Sequence, residues 1–206
     1  MEYRIAIIDD RESEILYIKH VLKPEFLLEK VELSSNLEDM VKDLLEKKVD
    51  AVIIDYELSA TQSNIHFKGD NVVLAIRNIK TLFPISVLTA FSEQAENASI
   101  DPDIVYDKET ILNNPATFKR KLAHKIQNYK SKIDELRKEL VELNLKETLS
   151  LKDEERLIEL DKILEKELES EFSFPNNLKT SSNYAKLEEL IKLSKNIIER
   201  IDMDAN

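Results

Sequence analysis

Four short apolar runs, each followed by a polar side chain, limit most strongly what this chain can fold into. The runs are rich in β-branched residues, which is typical of buried strands. They cover 4–8, 51–54, 85–88 and 104–106, and they lead into Asp9-Asp10, Asp55, Thr89 and, through Asp107, Lys108. The carboxyl ends of the strands form the ligand crevice of an open parallel sheet. We therefore expect carboxylates, a hydroxyl and an ammonium group to meet at one edge of the sheet.

Strand and helix patterns alternate up to about residue 112. We expect strands at 3–8, near 27–33, and at 51–54, 85–88 and 104–106. Helical patterns lie between them at 12–23, after Asn36 as N-cap, at 71–82 and at 93–99. This alternation predicts an α/β domain with a doubly wound, five-stranded parallel sheet and right-handed crossovers. In the first helix we expect Ile15, Leu16, Ile18 and Leu22 on the buried side, and Pro24 at the end.

From Phe118 onward the pattern becomes purely helical. Apolar residues recur at alternating spacings of four and three, which is the seam of a coiled coil. They are Leu122, Ile126, Tyr129, Ile133, Leu136, Leu140 and Leu143. This helix either packs on its own domain or meets a partner helix, in the same chain or in a second copy. Further helices are expected at 152–171 and 183–202, with a break at 172–177. We therefore predict one domain at 1–116 and an all-α coiled-coil or bundle region at 117–206.

Charge and composition narrow the possible functions. The net charge is −11, and residues 1–116 hold 12 basic against 22 acidic residues. Such an acidic surface repels phosphate backbones, so we expect no nucleic-acid partner. The absence of cysteine excludes disulfides and thiolate metal sites. No apolar run reaches the roughly 18 residues that a membrane span requires. The chain also shows no leader pattern, so we expect a cytoplasmic protein.

The clustered carboxylates indicate a particular chemistry. Asp9, Asp10 and Asp55 would repel one another by on the order of 4 kcal/mol per close pair at an effective dielectric of about 20. A hard cation relieves that repulsion, and oxygen ligands favour Mg²⁺, with Mn²⁺ as a substitute. A solvent-facing carboxylate can also attack a phosphoryl group. Lys108 and Thr89 offer donors to the phosphoryl oxygens.

Residues 1–115 resemble the receiver domain of two-component response regulators. The resemblance rests on Ile8-Asp9-Asp10, on the run from Asp50 to Asp55, on Leu88-Thr89-Ala90 and on Lys108. It implies a flavodoxin-like sheet and a phosphoryl group accepted on Asp55 from a sensor histidine kinase. It also implies Mg²⁺ bound by Asp9, Asp10, Asp55 and the backbone carbonyl of Glu57. Thr89 and Lys108 would contact the phosphate and take part in the switch.

The chain departs from the family pattern in several places. The segment between Asp55 and Gly69 is longer than usual, so we expect Thr61, Gln62, Ser63, Asn64 and His66 to lie over the site. Glu109 replaces the usual proline after the lysine, which puts the usual cis bond in doubt. Val105 occupies the place of the switch aromatic, and Tyr106 follows it. The short distance in sequence from Thr89 to Lys108 implies a trimmed helix there.

We therefore expect a response regulator that relays phosphorylation of Asp55 to a helical protein-interaction tail. Its expected partners are the kinase, a downstream protein and a second copy of the chain, and no separate catalytic domain is expected. The main alternative is a phosphate sink or scaffold adaptor without an effector activity. A structural coiled-coil protein with a vestigial receiver is a third possibility. A hydrolase of phosphate esters with Glu57 as proton donor is the least favoured.

Overall fold

The computed structural model describes residues 2–59, 61, 64–90 and 100–168. By its internal contacts the chain forms two compact units, Met1–Ser131 and Lys132–Asn206. Within the described part, no helix combines the length and apolar character needed to cross a bilayer.

The first unit is built on a parallel sheet of five strands, as the sequence predicts. The strands are β1 (Tyr3–Ile8), β2 (Phe26–Lys30), β3 (Ala51–Asp55), β4 (Ile85–Thr89) and β5 (Val105–Asp107). Their spatial order is β2-β1-β3-β4-β5. The fold class is therefore α/β with a helical tail, and β1 and β3 lie side by side in the middle of the sheet.

Three helices connect the first four strands at nearly the predicted places: α1 (Glu12–Leu22), α2 (Leu37–Glu46) and α3 (Gly69–Ile79). A 3₁₀ turn at Pro102–Ile104 precedes β5, and a short helix that the sequence did not predict, α4 (Lys108–Asn113), follows it. Asn36 caps α2 as predicted, because its side chain accepts hydrogen bonds from the backbone N–H groups of Glu38 and Asp39. α3 begins two residues earlier than predicted, after Lys68, whose backbone N–H is bound by Asn71. The helix predicted at 93–99 lies outside the described residues.

The sheet is covered on both faces, and alternate strand residues face opposite layers. Ala6 and Ile8 belong to one core cluster together with α2 and α3. Ile5 and Ile7 belong to the other, together with α1. In α1, Ile15, Ile18 and Leu22 are buried, but Leu16 is 58% exposed. The prediction for Leu16 is therefore wrong, because this helix buries a narrower stripe than its apolar content suggests.

The long helix α5 (Pro115–Asn144) begins as part of the α/β core. Phe118, Leu122 and Ile126 belong to the same buried cluster as Ile5 and Ile7. The first part of the predicted seam thus packs on its own domain. For this reason the compact unit extends to Ser131, whereas the sequence placed the domain boundary at 116/117.

The second unit contains the end of α5 and the helix α6 (Leu151–Leu168). A helix was predicted at 152–171, and α6 begins one residue before that range. The Arg156 side chain of α6 donates to both carboxylate oxygens of Glu139 on α5, at 2.7 and 2.8 Å. Ile133, Leu136 and Leu143 of the seam are buried, as are Leu160 and Leu164 of α6. These contacts show a helical hairpin in one chain. The predicted break at 172–177 and helix at 183–202 lie outside the described residues.

Candidate metal site at the carboxyl edge of the sheet

Three aspartates meet where the two central strands end. Ile8 pairs with Ile54 across β1 and β3, so the residues that follow, Asp9 and Asp55, emerge side by side. Asp9 and Asp55 are 3% and 4% exposed. One carboxylate oxygen from each of Asp9, Asp10 and Asp55 lies within 4.8 Å of the other two. The structure therefore brings together the acidic residues that the sequence predicts to meet.

Lys108 lies on one side of this acidic cluster. It is the first residue of α4, directly after β5, and its Nζ is 2.9 Å from Asp55 Oδ1 and 3.5 Å from Asp9 Oδ2. Glu14 of α1 also reaches Lys108, at 3.8 Å. Lys108 was predicted from the sequence, but Glu14 was not. Glu14 lies in the first turn of α1, and the local sequence does not show which strand end that turn faces.

Thr89 and Glu57 occupy the same edge. Thr89 is the last residue of β4, the strand beside β3, and it is 2% exposed. Glu57 lies two residues beyond Asp55, and its carboxylate accepts from Lys68 Nζ at 2.6 Å. The side chain of Glu57 is thus paired with Lys68, and a role for its backbone carbonyl stays a prediction.

Arg11 is a second residue of the site that was not predicted from the sequence. Its backbone N–H donates to Asp9 Oδ1 at 2.9 Å. Its guanidinium lies 3.8 Å from Asp10 Oδ1 and 3.6 Å from Asp55 Oδ2. The position of Arg11 directly after the aspartate pair was a usable signal, since the chain must turn there from the sheet into α1.

The long segment after Asp55 folds back onto the site at Thr61. The Thr61 backbone N–H donates to Asp10 Oδ2 at 2.6 Å, and its hydroxyl donates to the Asp10 backbone carbonyl at 2.7 Å. Leu58 and Ile65 anchor the segment in the core. The expected position over the site is thus confirmed for Thr61. Gln62 and Ser63 lie outside the described residues, whereas Asn64 and His66 are exposed.

Gly69, the single glycine of the chain, lies directly behind the site. A Cβ atom at this position would lie 2.7 Å from the Asp55 backbone oxygen and 3.0 Å from Tyr56 Cα. The glycine is therefore required for close approach of α3 to the end of β3. The backbone conformation at Gly69 does not require a glycine, because its φ is not positive. Among the described residues, the positive φ is found at Lys48, at 52°.

Burial and mutual repulsion make the acidic cluster electrostatically unfavourable. Burial, and then the Asp55 charge, raise the pKa of Asp9 to about 6. Burial also raises the pKa of Asp55, although Lys108 opposes this shift. Asp10 Oδ1 and Asp55 Oδ2 are buried and accept no hydrogen bond from the described residues. Two unpartnered oxygens in an all-carboxylate set suit a hard divalent cation such as Mg²⁺ or Mn²⁺.

The departures near Lys108 have visible structural consequences. The Lys108–Glu109 peptide bond is trans; the cis bond among the described residues is Lys23–Pro24. The Tyr106 ring contacts Phe118 of α5 edge to face, at 5.1 Å between centroids. Lys125 Nζ lies 4.9 Å from the centre of the same ring. β5, which ends directly before Lys108, is therefore packed against α5.

Comparisons with known proteins leave the family open. No protein-family model matches the chain, and no curated protein matches it. One similar solved structure is described as yeast Spc42 trimeric coiled-coil amino acids 181–211 fused to another structure. It shares 19% identity, covers 65% of this chain and 85% of its own, and has a TM-score of 0.49. At that level the similarity carries no argument about function.

Proposed function

We propose that this protein is a two-component response regulator whose Asp55 accepts a phosphoryl group from a phosphohistidine of a sensor kinase. The observation that carries the proposal is the surroundings of Asp55. One oxygen is held by Lys108 at 2.9 Å, and the other is buried beside Asp10 and Arg11 and accepts no hydrogen bond from any described residue. A nucleophile, a fixed cation and a set of metal ligands are the components that phosphoryl transfer to a carboxylate needs.

The transfer can be described with the residues in place. A carboxylate oxygen of Asp55 attacks the phosphorus atom, the new O–P bond forms, and the P–N bond of the donor breaks. The ring nitrogen keeps the bonding electron pair and leaves as neutral imidazole when its other nitrogen carries a proton. Lys108 stays within reach of Asp55 and neutralises part of the added charge. Asp9 and Asp10, with Asp55, would hold Mg²⁺, which supplies further charge neutralisation when bound.

The packing around β5 supports a route from the site to the helical tail. Thr89 pairs with Asp107 across β4 and β5, next to Tyr106 and Lys108. Tyr106 contacts Phe118 of α5. Lys125 of α5 also donates to the Asp103 backbone carbonyl at 3.0 Å. Movement of Thr89 and Lys108 toward a phosphoryl group would therefore act on the start of α5, and α5 continues into the helical tail.

The helical tail is the proposed site of partner binding and homodimer formation. Its large apolar side chains include several that stay exposed, and they are available to a partner helix: Val141, Leu145, Leu151, Ile158 and Leu168. Light scattering with and without a small phosphodonor measures whether phosphorylation changes the mass of the assembly. Unchanged mass and unchanged partner binding would favour the phosphate sink.

The direct test is phosphorylation of the intact protein. We expect acetyl phosphate with Mg²⁺ to add the mass of one phosphoryl group to the wild type. Asp55→Asn should add none, because an amide oxygen cannot form the acyl phosphate. Asp103→Asn, which alters an exposed aspartate outside the site, should behave like the wild type. A wild-type protein that gains no phosphoryl group under these conditions would contradict the proposal.

A further inference from the structure

We propose that Arg11 is a tethered cation that occupies the metal-free acidic site and must withdraw when a divalent cation binds. Metal binding would then exchange one cation for another. This inference rests on the proposed function, because it takes the acidic cluster as the metal site of a phosphoacceptor. It adds a residue that sets the metal affinity of that site.

The carboxylate oxygens of the cluster are divided between two cations. Lys108 lies beside Asp55 Oδ1 and Asp9 Oδ2, at 2.9 and 3.5 Å. The Arg11 guanidinium faces Asp55 Oδ2 and Asp10 Oδ1, at 3.6 and 3.8 Å. Arg11 therefore lies on the part of the cluster that Lys108 does not neutralise.

Arg11 neutralises charge on these oxygens but donates no hydrogen bond to them. Asp55 Oδ2 and Asp10 Oδ1 are the same two site oxygens that are buried and accept no hydrogen bond from the described residues. Arg11 Nε is likewise buried without a hydrogen-bond acceptor. A cation that binds oxygen at about 2.1 Å, as Mg²⁺ does, satisfies such oxygens more fully than a guanidinium at ion-pair distance. A divalent cation can therefore replace the guanidinium at these two oxygens.

The net charge of the cluster also favours an exchange of cations. With Lys108 and Arg11 in place, the three carboxylates leave the cluster with one net negative charge. Adding a divalent cation while Arg11 stays would give a net positive charge, whereas withdrawal of Arg11 leaves the cluster neutral. Two cations held a few ångströms apart in a buried site repel each other strongly. Electrostatics therefore favours withdrawal of the guanidinium as the metal enters.

Another carboxylate lies within reach of the Arg11 side chain. Its Nη1 already lies 3.7 Å from Glu14 Oε1, which is close to one turn along α1. The side chain is 41% exposed, so it can move without disturbing the core. Its backbone N–H stays bound to Asp9 Oδ1, so the movement is confined to the side chain.

The inference is tested by measuring how tightly the full chain binds Mn²⁺. The electron paramagnetic resonance signal of the free ion reports how much Mn²⁺ is unbound. We expect Arg11→Gln to bind Mn²⁺ about tenfold more tightly than the wild type, because a competing charge is removed. Arg11→Lys should lie between the two. The matched control is Arg120→Gln, which changes the net charge equally at an exposed position away from the site; it should bind Mn²⁺ as the wild type does. Equal or weaker binding by Arg11→Gln would overturn the inference.

A second measurement covers the case in which Arg11→Gln fails to fold. The ¹⁵Nε resonance of Arg11 in the wild type, assigned by its loss in Arg11→Lys, should shift with added Mg²⁺ and saturate with binding. A resonance that does not respond to saturating Mg²⁺ would contradict withdrawal. If the wild type is phosphorylated on Asp55 but shows neither effect, the role of Arg11 fails and the proposed function stands. If no variant binds Mn²⁺ and none is phosphorylated, both fail.

Discussion

The acidic edge of the sheet and the hairpin of α5 and α6 are both rich in charged residues, but the pKa values of their aspartates are shifted in opposite directions. In the hairpin, Lys146 donates to Asp153 at 2.7 Å in an exposed position, and this bond is the main cause that lowers the pKa of Asp153 to about 2. At the sheet edge, burial and a neighbouring carboxylate raise the pKa of Asp9 to about 6. Two aspartates of one chain are thus shifted in opposite directions.

The difference separates charge that favours folding from charge that opposes it. Partly exposed, complementary pairs such as Arg156 with Glu139 satisfy each other and tolerate solvent. Buried, like-charged groups such as Asp9 and Asp55 destabilise the fold, and two site oxygens accept no hydrogen bond from the part of the chain that the structure describes. A fold keeps such a cluster when function needs it. The comparison therefore supports the proposal that the sheet edge is the functional site.

The largest effect should come from adding a methyl group behind the site. Gly69→Ala would place a Cβ 2.7 Å from the Asp55 backbone oxygen. We expect the free energy of unfolding to fall by about 1–3 kcal/mol, as is typical of overpacking. Asn78→Ala, at an exposed position on the same helix, controls for helix propensity and should leave stability unchanged or higher. Urea unfolding measures both. If Gly69→Ala leaves the free energy of unfolding unchanged, α3 is not closely packed against the end of β3.

The next effect concerns the pH dependence of stability without divalent cations. The folded pKa of Asp9, about 6, lies above its ordinary value of 3.8. Between these values the folded state binds more protons, so the free energy of unfolding should fall as pH rises through this range. We expect a fall on the order of 2 kcal/mol. Asp9→Asn should flatten that fall in part, since Asp55 contributes in the same direction, and should be more stable than the wild type at pH 7.

Asp153→Asn sharpens the same comparison from the other side. Its pKa is lowered, so its ionised form favours the folded state above its ordinary pKa. The substitution should therefore not raise stability at pH 7, in contrast to Asp9→Asn. Urea unfolding across pH 4–8 measures both variants. If Asp9→Asn lowers stability at pH 7, the sheet edge and the hairpin do not differ in the proposed way.

A smaller effect is expected at the segment that covers the acidic edge. Thr61→Val removes the hydroxyl that donates to the Asp10 backbone carbonyl. One hydrogen bond contributes about 0.5–1.5 kcal/mol, so we expect the phosphoryl group on Asp55 to be lost about two- to tenfold faster. The time course of the intact mass measures this rate. Thr81→Val removes a hydroxyl outside the site and is the control. Equal rates for wild type and Thr61→Val would exclude a shielding role.

The smallest effect is expected in the hairpin. Arg156→Gln removes the two-pronged contact with Glu139. Because the pair is partly exposed, we expect a loss of about 0.2–1 kcal/mol in the free energy of unfolding, reduced at high salt. Arg137→Gln, which loses a 3.7 Å contact with Asp134, should cost less. Urea unfolding at two salt concentrations tests this. A loss larger than that of Gly69→Ala would reverse the comparison.

Local patterns determine much of this molecule. The β-branched runs and intervening amphipathic segments specify a parallel sheet, and the parallel sheet brings Asp9, Asp10 and Asp55 together because its strands end at one edge. Asn36 shows the same local logic as an N-cap. These features follow from neighbours in sequence, so the sequence alone was sufficient to predict them.

Only the tertiary structure decided which other groups reach that edge and where the first unit ends. Thr61 reaches Asp10 from a distant part of the sequence, and Arg11, although adjacent to Asp10 in sequence, also faces Asp55 at the end of another strand. The exposure of Leu16 depends on how α1 lies against the sheet. The apolar seam of α5 keeps the same spacing along its whole length. Its first part nevertheless packs on the strands, and its later part belongs to the helical unit. Periodicity specifies which face of a helix is apolar, but the partner of that face is set by packing over the whole chain.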